Sequence, residues 1–64
     1  MFSWIKYINR LNNKKLITEE ERTALEIYCN SDKYEEDSNL AEDGEGNGVR
    51  IAIDNELKDI RDGF

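Results

Sequence analysis

Thr18 followed three residues later by Glu21, at the head of the stretch ITEEERTALEIYC, is the strongest local constraint in this chain. The spacing is that of a capping box, in which each side chain satisfies the other residue's orphan backbone N–H. Three consecutive glutamates then fill the first turn, where the helix dipole favours negative charge. Ala24, Leu25 and Tyr28 recur at helical spacing behind them, with Ile27 and Cys29 alongside. The pattern predicts a helix over residues 19–30.

Upstream, Trp4, Ile5, Ile8 and Leu11 form a second apolar stripe, with Met1 one turn earlier and Lys6, Arg10 and Asn13 elsewhere on the wheel. This predicts an amphipathic helix over residues 2–13. The Asn12-Asn13 pair is its natural stop, because asparagine tolerates the left-handed conformation that ends helices. Lys14 and Lys15 then lie where a helix C-terminus favours positive charge. The short connection at 14–18 makes the two helices an antiparallel αα-hairpin.

The C-terminal segment reads two ways. Val49, Ile51 and Ile53 alternate as in a strand, so a short β element at 49–53 is one alternative. Val49, Ile53, Leu57 and Ile60 recur at helical spacing, with Ala52 on the same face. Asp54 and Lys58 are spaced for an i,i+4 pair, and Gly63 sits where a C-terminal cap belongs. No second strand is evident, so the favoured reading is a helix over 50–62.

Between these segments lies SDKYEEDSNLAEDGEGNG, residues 31–48, where Tyr34 and Leu40 are the main apolar side chains and three of the four glycines fall. It reads as a long, mobile, acidic loop. The expected architecture is all-α: one small domain, residues 1–64, with the hairpin and a third helix joined by this loop. A chain of this size buries only roughly 60% of the surface its unfolded form exposes, so its core is marginal.

Residues 11–28, LNNKKLITEEERTALEIY, resemble the hairpin phrase of SHOCT-type domains: a leucine, a short linker and Leu-Ile-Thr-Glu-Glu-Glu. The same phrase is met in many small phage proteins. The likeness covers under a third of the chain. Lys15 stands where those domains usually carry glycine, and Glu26-Ile27-Tyr28 stands where they continue with lysine and paired leucines. The resemblance implies an assembly or interaction role.

Charge distribution narrows the function. Residues 1–16 carry +4, residues 31–48 carry −6, and the whole chain also carries −6. That sign argues against direct nucleic-acid binding, which needs lysine and arginine in excess. There is no histidine, and the only cysteine is Cys29. The usual general base and the commonest metal ligand are therefore missing, and no internal disulfide can form. Enzymatic activity is not expected. A lone cysteine with no signal peptide fits a reducing, cytoplasmic setting. No apolar run is long enough to span a membrane. Phe2, Trp4 and Tyr7 would suit an interfacial anchor, but the same stripe is the best available core.

The expected function is stoichiometric binding to a larger protein, modulating or inhibiting it through a basic surface that normally holds nucleic acid. The carboxylates would imitate a phosphate backbone. The expected contact residues are Asp32, Tyr34, Glu35, Glu36, Asp37, Glu42, Asp43 and Glu45. Small size, no proline, abundant Asn, Lys, Ile and Glu and no enzyme signature also resemble the small early proteins of bacteriophages that neutralise host systems.

Two alternatives stand beside it. One is an assembly subunit that forms homo-oligomers through the Trp4, Ile5, Ile8 and Leu11 face. The other is a single EF-hand-like calcium module with Asp43, Glu45, Asn47 and Asp54 as ligands and Gly48 at the sixth position. Against calcium stand Glu45 at a position that favours shorter side chains, Arg50 where an apolar residue belongs, and Asp54 in place of a bidentate glutamate. A helix entering the loop from residues 39–41 is also not expected.

Overall fold

A computed structural model describes residues 4–63. Among them are four helices and no strand: α1 Trp4–Asn13, α2 Glu19–Cys29, α3 Asp32–Ala41 and α4 Gly48–Asp62. The all-α architecture holds, and residues 49–53 are helical. The expected start of the first helix at residue 2, and Met1 and Phe2 with it, lie outside the described residues.

The expected loop over 31–48 is corrected. Most of it is helix α3, and the true connection is only residues 42–47. The start was encoded: Ser31 is an extended N-cap whose Oγ accepts the Tyr34 N–H, and Asp32 and Glu35 occupy the first turn. The apolar stripe was too thin to announce the rest. Ser31 also closes α2, since its backbone N–H donates to the Tyr28 carbonyl.

α1 ends differently from the expected Asn-Asn stop. The left-handed residue is Lys15, at φ 57°. The Lys15 N–H donates to the Asn12 carbonyl and the Leu16 N–H to the Leu11 carbonyl, which is the Schellman pattern. Two residues later the capping box forms as predicted. Thr18 Oγ1 accepts from the Glu21 N–H at 3.1 Å, and Glu21 Oε1 accepts from the Thr18 N–H at 2.8 Å.

α4 is the longest helix and packs against all three others. Ile8, Leu25 and Ile53, from α1, α2 and α4, are the largest fully buried side chains. Ile17, Tyr28 and Cys29 complete the centre, and Trp4, Tyr7, Leu11, Tyr34, Val49, Leu57 and Ile60 pack around it. Polar pairs tie the helices across this core: Tyr7 Oη donates to Asp54 at 2.6 Å, Tyr28 Oη donates to Asp37 at 2.7 Å, and Lys33 faces Glu56 at 3.5 Å. α3 and α4 meet closely. A Cβ on Gly48 would lie 2.3 Å from the Ser38 carbonyl oxygen, so no larger residue fits at the start of α4 without displacing backbone.

Candidate functional site

The helix at 32–41 divides the eight expected contact residues into three sets. Asp32, Glu35 and Glu36 share one exposed face of α3, as their i, i+3, i+4 spacing requires. Among the described residues, no cation or hydrogen-bond donor engages their carboxylates. The rise of an α-helix separates Asp32 from Glu36 by about 6 Å along the axis. Leu40, one turn beyond Glu36, is 78% exposed. The acidic face therefore ends on an apolar side chain that the sequence reading did not include. Its signal was the i+4 spacing from Glu36, visible only once residues 32–41 are helical.

Tyr34 and Asp37 point to other duties. The Tyr34 ring meets that of Tyr28 edge-on at 5.6 Å between centroids. Asp37 accepts the Tyr28 hydroxyl, and both residues are at least half-covered by the protein. Burial and the Asp37 carboxylate push the Tyr28 hydroxyl well above the usual tyrosine range. These two residues hold α3 on α2.

Glu42, Asp43 and Glu45 lie in the connection, which is built rather than slack. Glu42 Oε1 accepts from three backbone N–H groups, those of Asp43, Gly44 and Gly46, at 3.0, 3.0 and 2.9 Å. Asp43 accepts from the Glu45 N–H at 2.9 Å and from Asn47 Nδ2 at 2.8 Å. The Asn47 amide is the main cause that holds the Asp43 carboxyl below its ordinary range. Gly44 and Gly46 sit at φ 84° and 83°, in the left-handed region where glycine is favoured. The loop wraps its amides around its own carboxylates. Glu45 alone of the three keeps an exposed carboxylate outside this network.

The calcium reading meets a different geometry. α3 does run into the loop, contrary to expectation. But α4 begins at Gly48, so Asp54 stands nearly two turns along a helix and accepts from Tyr7. Among the described residues, no group of three or more acidic or thiol side chains is placed to hold a metal, so Asp43, Glu45 and Asp54 do not converge. Burial, followed by the bond to Asp54, pushes the Tyr7 hydroxyl up to about 12.

Of the expected oligomer face, Ile8 is fully buried and Trp4 and Leu11 pack against the core, while Ile5 is 53% exposed. The stripe is mostly consumed within the chain. Cys29 is buried and free, and burial pushes its thiol up to about 12. No described helix is long and apolar enough to cross a membrane.

Sequence reading also missed Arg61. Its guanidinium clasps Glu21 through Nε at 2.8 Å and Nη2 at 3.3 Å, and Nη2 donates to the Leu16 carbonyl at 2.7 Å. The capping glutamate thus also anchors the end of α4. Arg61, with the Thr18 N–H, brings the Glu21 carboxyl down to about 2.

Comparison with protein-family models, with curated proteins and with solved structures finds no match. The resemblance of residues 11–28 to SHOCT-type domains stays a likeness of one hairpin phrase.

Proposed function

We propose that this chain is a small acidic binding module that docks on a basic surface of a larger protein, one shaped for nucleic acid, and modulates or blocks it. It would act in the manner of the phage inhibitors that it resembles in size and composition. One observation carries the reading. Asp32, Glu35 and Glu36 stand together on the exposed face of a regular helix, and no cation of the described chain neutralises them. Carboxylates fixed on a helix lose less freedom on docking than carboxylates on a mobile loop, so more of their attraction remains as affinity. Exposed Leu40 adds an apolar anchor beside them. The role is binding rather than catalysis, and the setting is the cytoplasm. The lack of histidine and the single buried, free cysteine support both.

The test compares the natural chain with an Asp32→Asn/Glu35→Gln/Glu36→Gln variant, each immobilised and exposed to the same cell lysate. A basic protein held by the natural chain and released by a salt step is expected. Three surface contacts at about 0.2–1 kcal/mol each sum to about 0.6–3 kcal/mol, so the variant should bind that protein roughly 3- to 150-fold more weakly. Equal capture by both chains at low salt overturns the reading.

A further inference from the structure

We infer that a second copy of this chain is a ligand of the acidic face, docking through the outer side of its own α1. The fold keeps two opposite charge poles apart. Lys6 and Arg10 are exposed on α1, and Lys14 is exposed at its end. None of the three makes an ion pair among the described residues. Asp32, Glu35 and Glu36 are exposed on α3 in the same condition. α1 and α3 do not touch, because α2 and α4 lie between them. Neither pole can therefore neutralise the other within one molecule.

The two faces are matched in spacing as well as sign. Lys6 and Arg10 are four residues apart, as are Asp32 and Glu36, so each pair spans about 6 Å along its helix. Two helices laid side by side bring both cations to both anions. The contact is heterologous: one face of one copy meets a different face of the next, so association can continue beyond two.

The net charge of −6 on every copy opposes this. Salt separates the two effects. At about 0.15 M the screening length is roughly 8 Å, short against a molecule 30 Å long but not against a contact between side chains. Whole-molecule repulsion is then damped while face-to-face pairs survive. At about 0.01 M the screening length is roughly 30 Å and repulsion prevails, and at about 1 M the pairs themselves are screened. Association peaks at intermediate salt. A plain acidic protein would show no such maximum.

The inference shares the acidic face with the proposed function but does not depend on an outside partner. Sedimentation velocity of the purified full chain tests it. At millimolar concentration and about 0.15 M salt, the mean mass should reach about 1.5 times the 7.5 kDa monomer or more, and fall back at both salt extremes. A Lys6→Glu/Arg10→Glu variant and a Glu35→Lys/Glu36→Lys variant should each be monomeric, with unchanged helical circular dichroism. Mixed in equal amounts, they offer two complementary contacts, the natural acidic α3 with the natural basic α1 and the swapped acidic α1 with the swapped basic α3, and should associate again in alternation. The milder Lys6→Gln/Arg10→Gln variant should associate less than the natural chain without like-charge repulsion at the contact. Monomer mass for both the natural chain and the mixture overturns the inference, as does association that survives in either reversed variant. Lys6→Glu/Arg10→Glu leaves the acidic face intact, so capture of a basic partner should persist in it. Loss of self-association and loss of partner binding are thereby distinguished.

Discussion

Of the three joints that turn this chain, the first and the last are made by different physics. The α1–α2 joint, residues 14–18, is a Schellman turn at Lys15 running into the capping box of Thr18 and Glu21. The α3–α4 joint, residues 42–47, has no side-chain cap on α4, because Asn47 makes none. It relies on the Glu42 carboxylate gathering three amides, on two left-handed glycines, and on the bare Gly48 backbone lying against Ser38. The first joint is local and would be recognisable in an isolated hairpin. The last adds to its local bonds a tertiary contact, the close approach of α4 to α3 at Gly48.

Gly48→Ala should break this contrast most severely. In an isolated helix, alanine gains about 0.5–1 kcal/mol over glycine. Here the added Cβ meets a backbone carbonyl oxygen at 2.3 Å, which cannot rotate away as a side chain would. The clash should outweigh the propensity gain and leave a net loss of about 1–3 kcal/mol, a large share of the stability of so small a domain. Urea unfolding followed by circular dichroism measures it. A stabilised Gly48→Ala protein would mean that α3 and α4 sit farther apart than described.

The contrast also explains what was legible. Thr18, the three glutamates and the apolar stripes of α1, α2 and α4 are local signals, and each predicts a helix that the structure has. α3 reads as loop in the sequence because its inner face relies on Tyr34 and on Asp37, an acid held in place by the Tyr28 hydroxyl nine residues earlier. Glycines 44, 46 and 48 read as slack. Two of them hold left-handed turns and the third permits close packing. The acidic contact set was assembled by sequence proximity, and helix periodicity redistributes it: Asp32, Glu35 and Glu36 together outside, Tyr34 and Asp37 turned to the core, Glu42 and Asp43 bound by their own loop. The Arg61–Glu21 clasp spans 40 residues and left no local trace.

That clasp makes the first joint depend on a distant residue after all, and acid should expose it. The Glu21 carboxyl is lowered from 4.5 to about 2 in the folded protein, mainly by Arg61. A carboxyl with a depressed folded-state value contributes stability that is fully present above its unfolded value. That contribution declines as pH falls below about 4.5 and is gone once pH passes below about 2. Arg61→Gln should lower the melting temperature at pH 6 and narrow its difference from the natural chain as pH drops from 5 towards 2. A gap that stays constant across that range would show that the Glu21 charge contributes nothing through the clasp and that Arg61 acts through the Leu16 carbonyl alone.

The smallest expected effect sharpens the first joint rather than breaking it. Lys15 holds φ 57°, where a side chain with a Cβ is disfavoured by roughly 1–2 kcal/mol. Lys15→Gly removes that penalty but adds conformational freedom to the unfolded chain, which offsets part of the gain. It also removes a positive charge near the C-terminus of α1, where the dipole favours one. The balance should be a gain of about 0.5–1 kcal/mol, or roughly 2–8 °C in melting temperature. Lys15→Ala separates the contributions, since it loses the charge and keeps the Cβ, and it should give no gain. Glycine is also what SHOCT-type domains usually carry before their Leu-Ile-Thr, at the position of Lys15. A stabilised Lys15→Gly chain would trace that preference to backbone geometry, with no bearing on shared function. An unchanged or lower melting temperature would mean that the lost charge and the added freedom of the unfolded chain together outweigh the relieved strain, and Lys15→Ala tells the two apart.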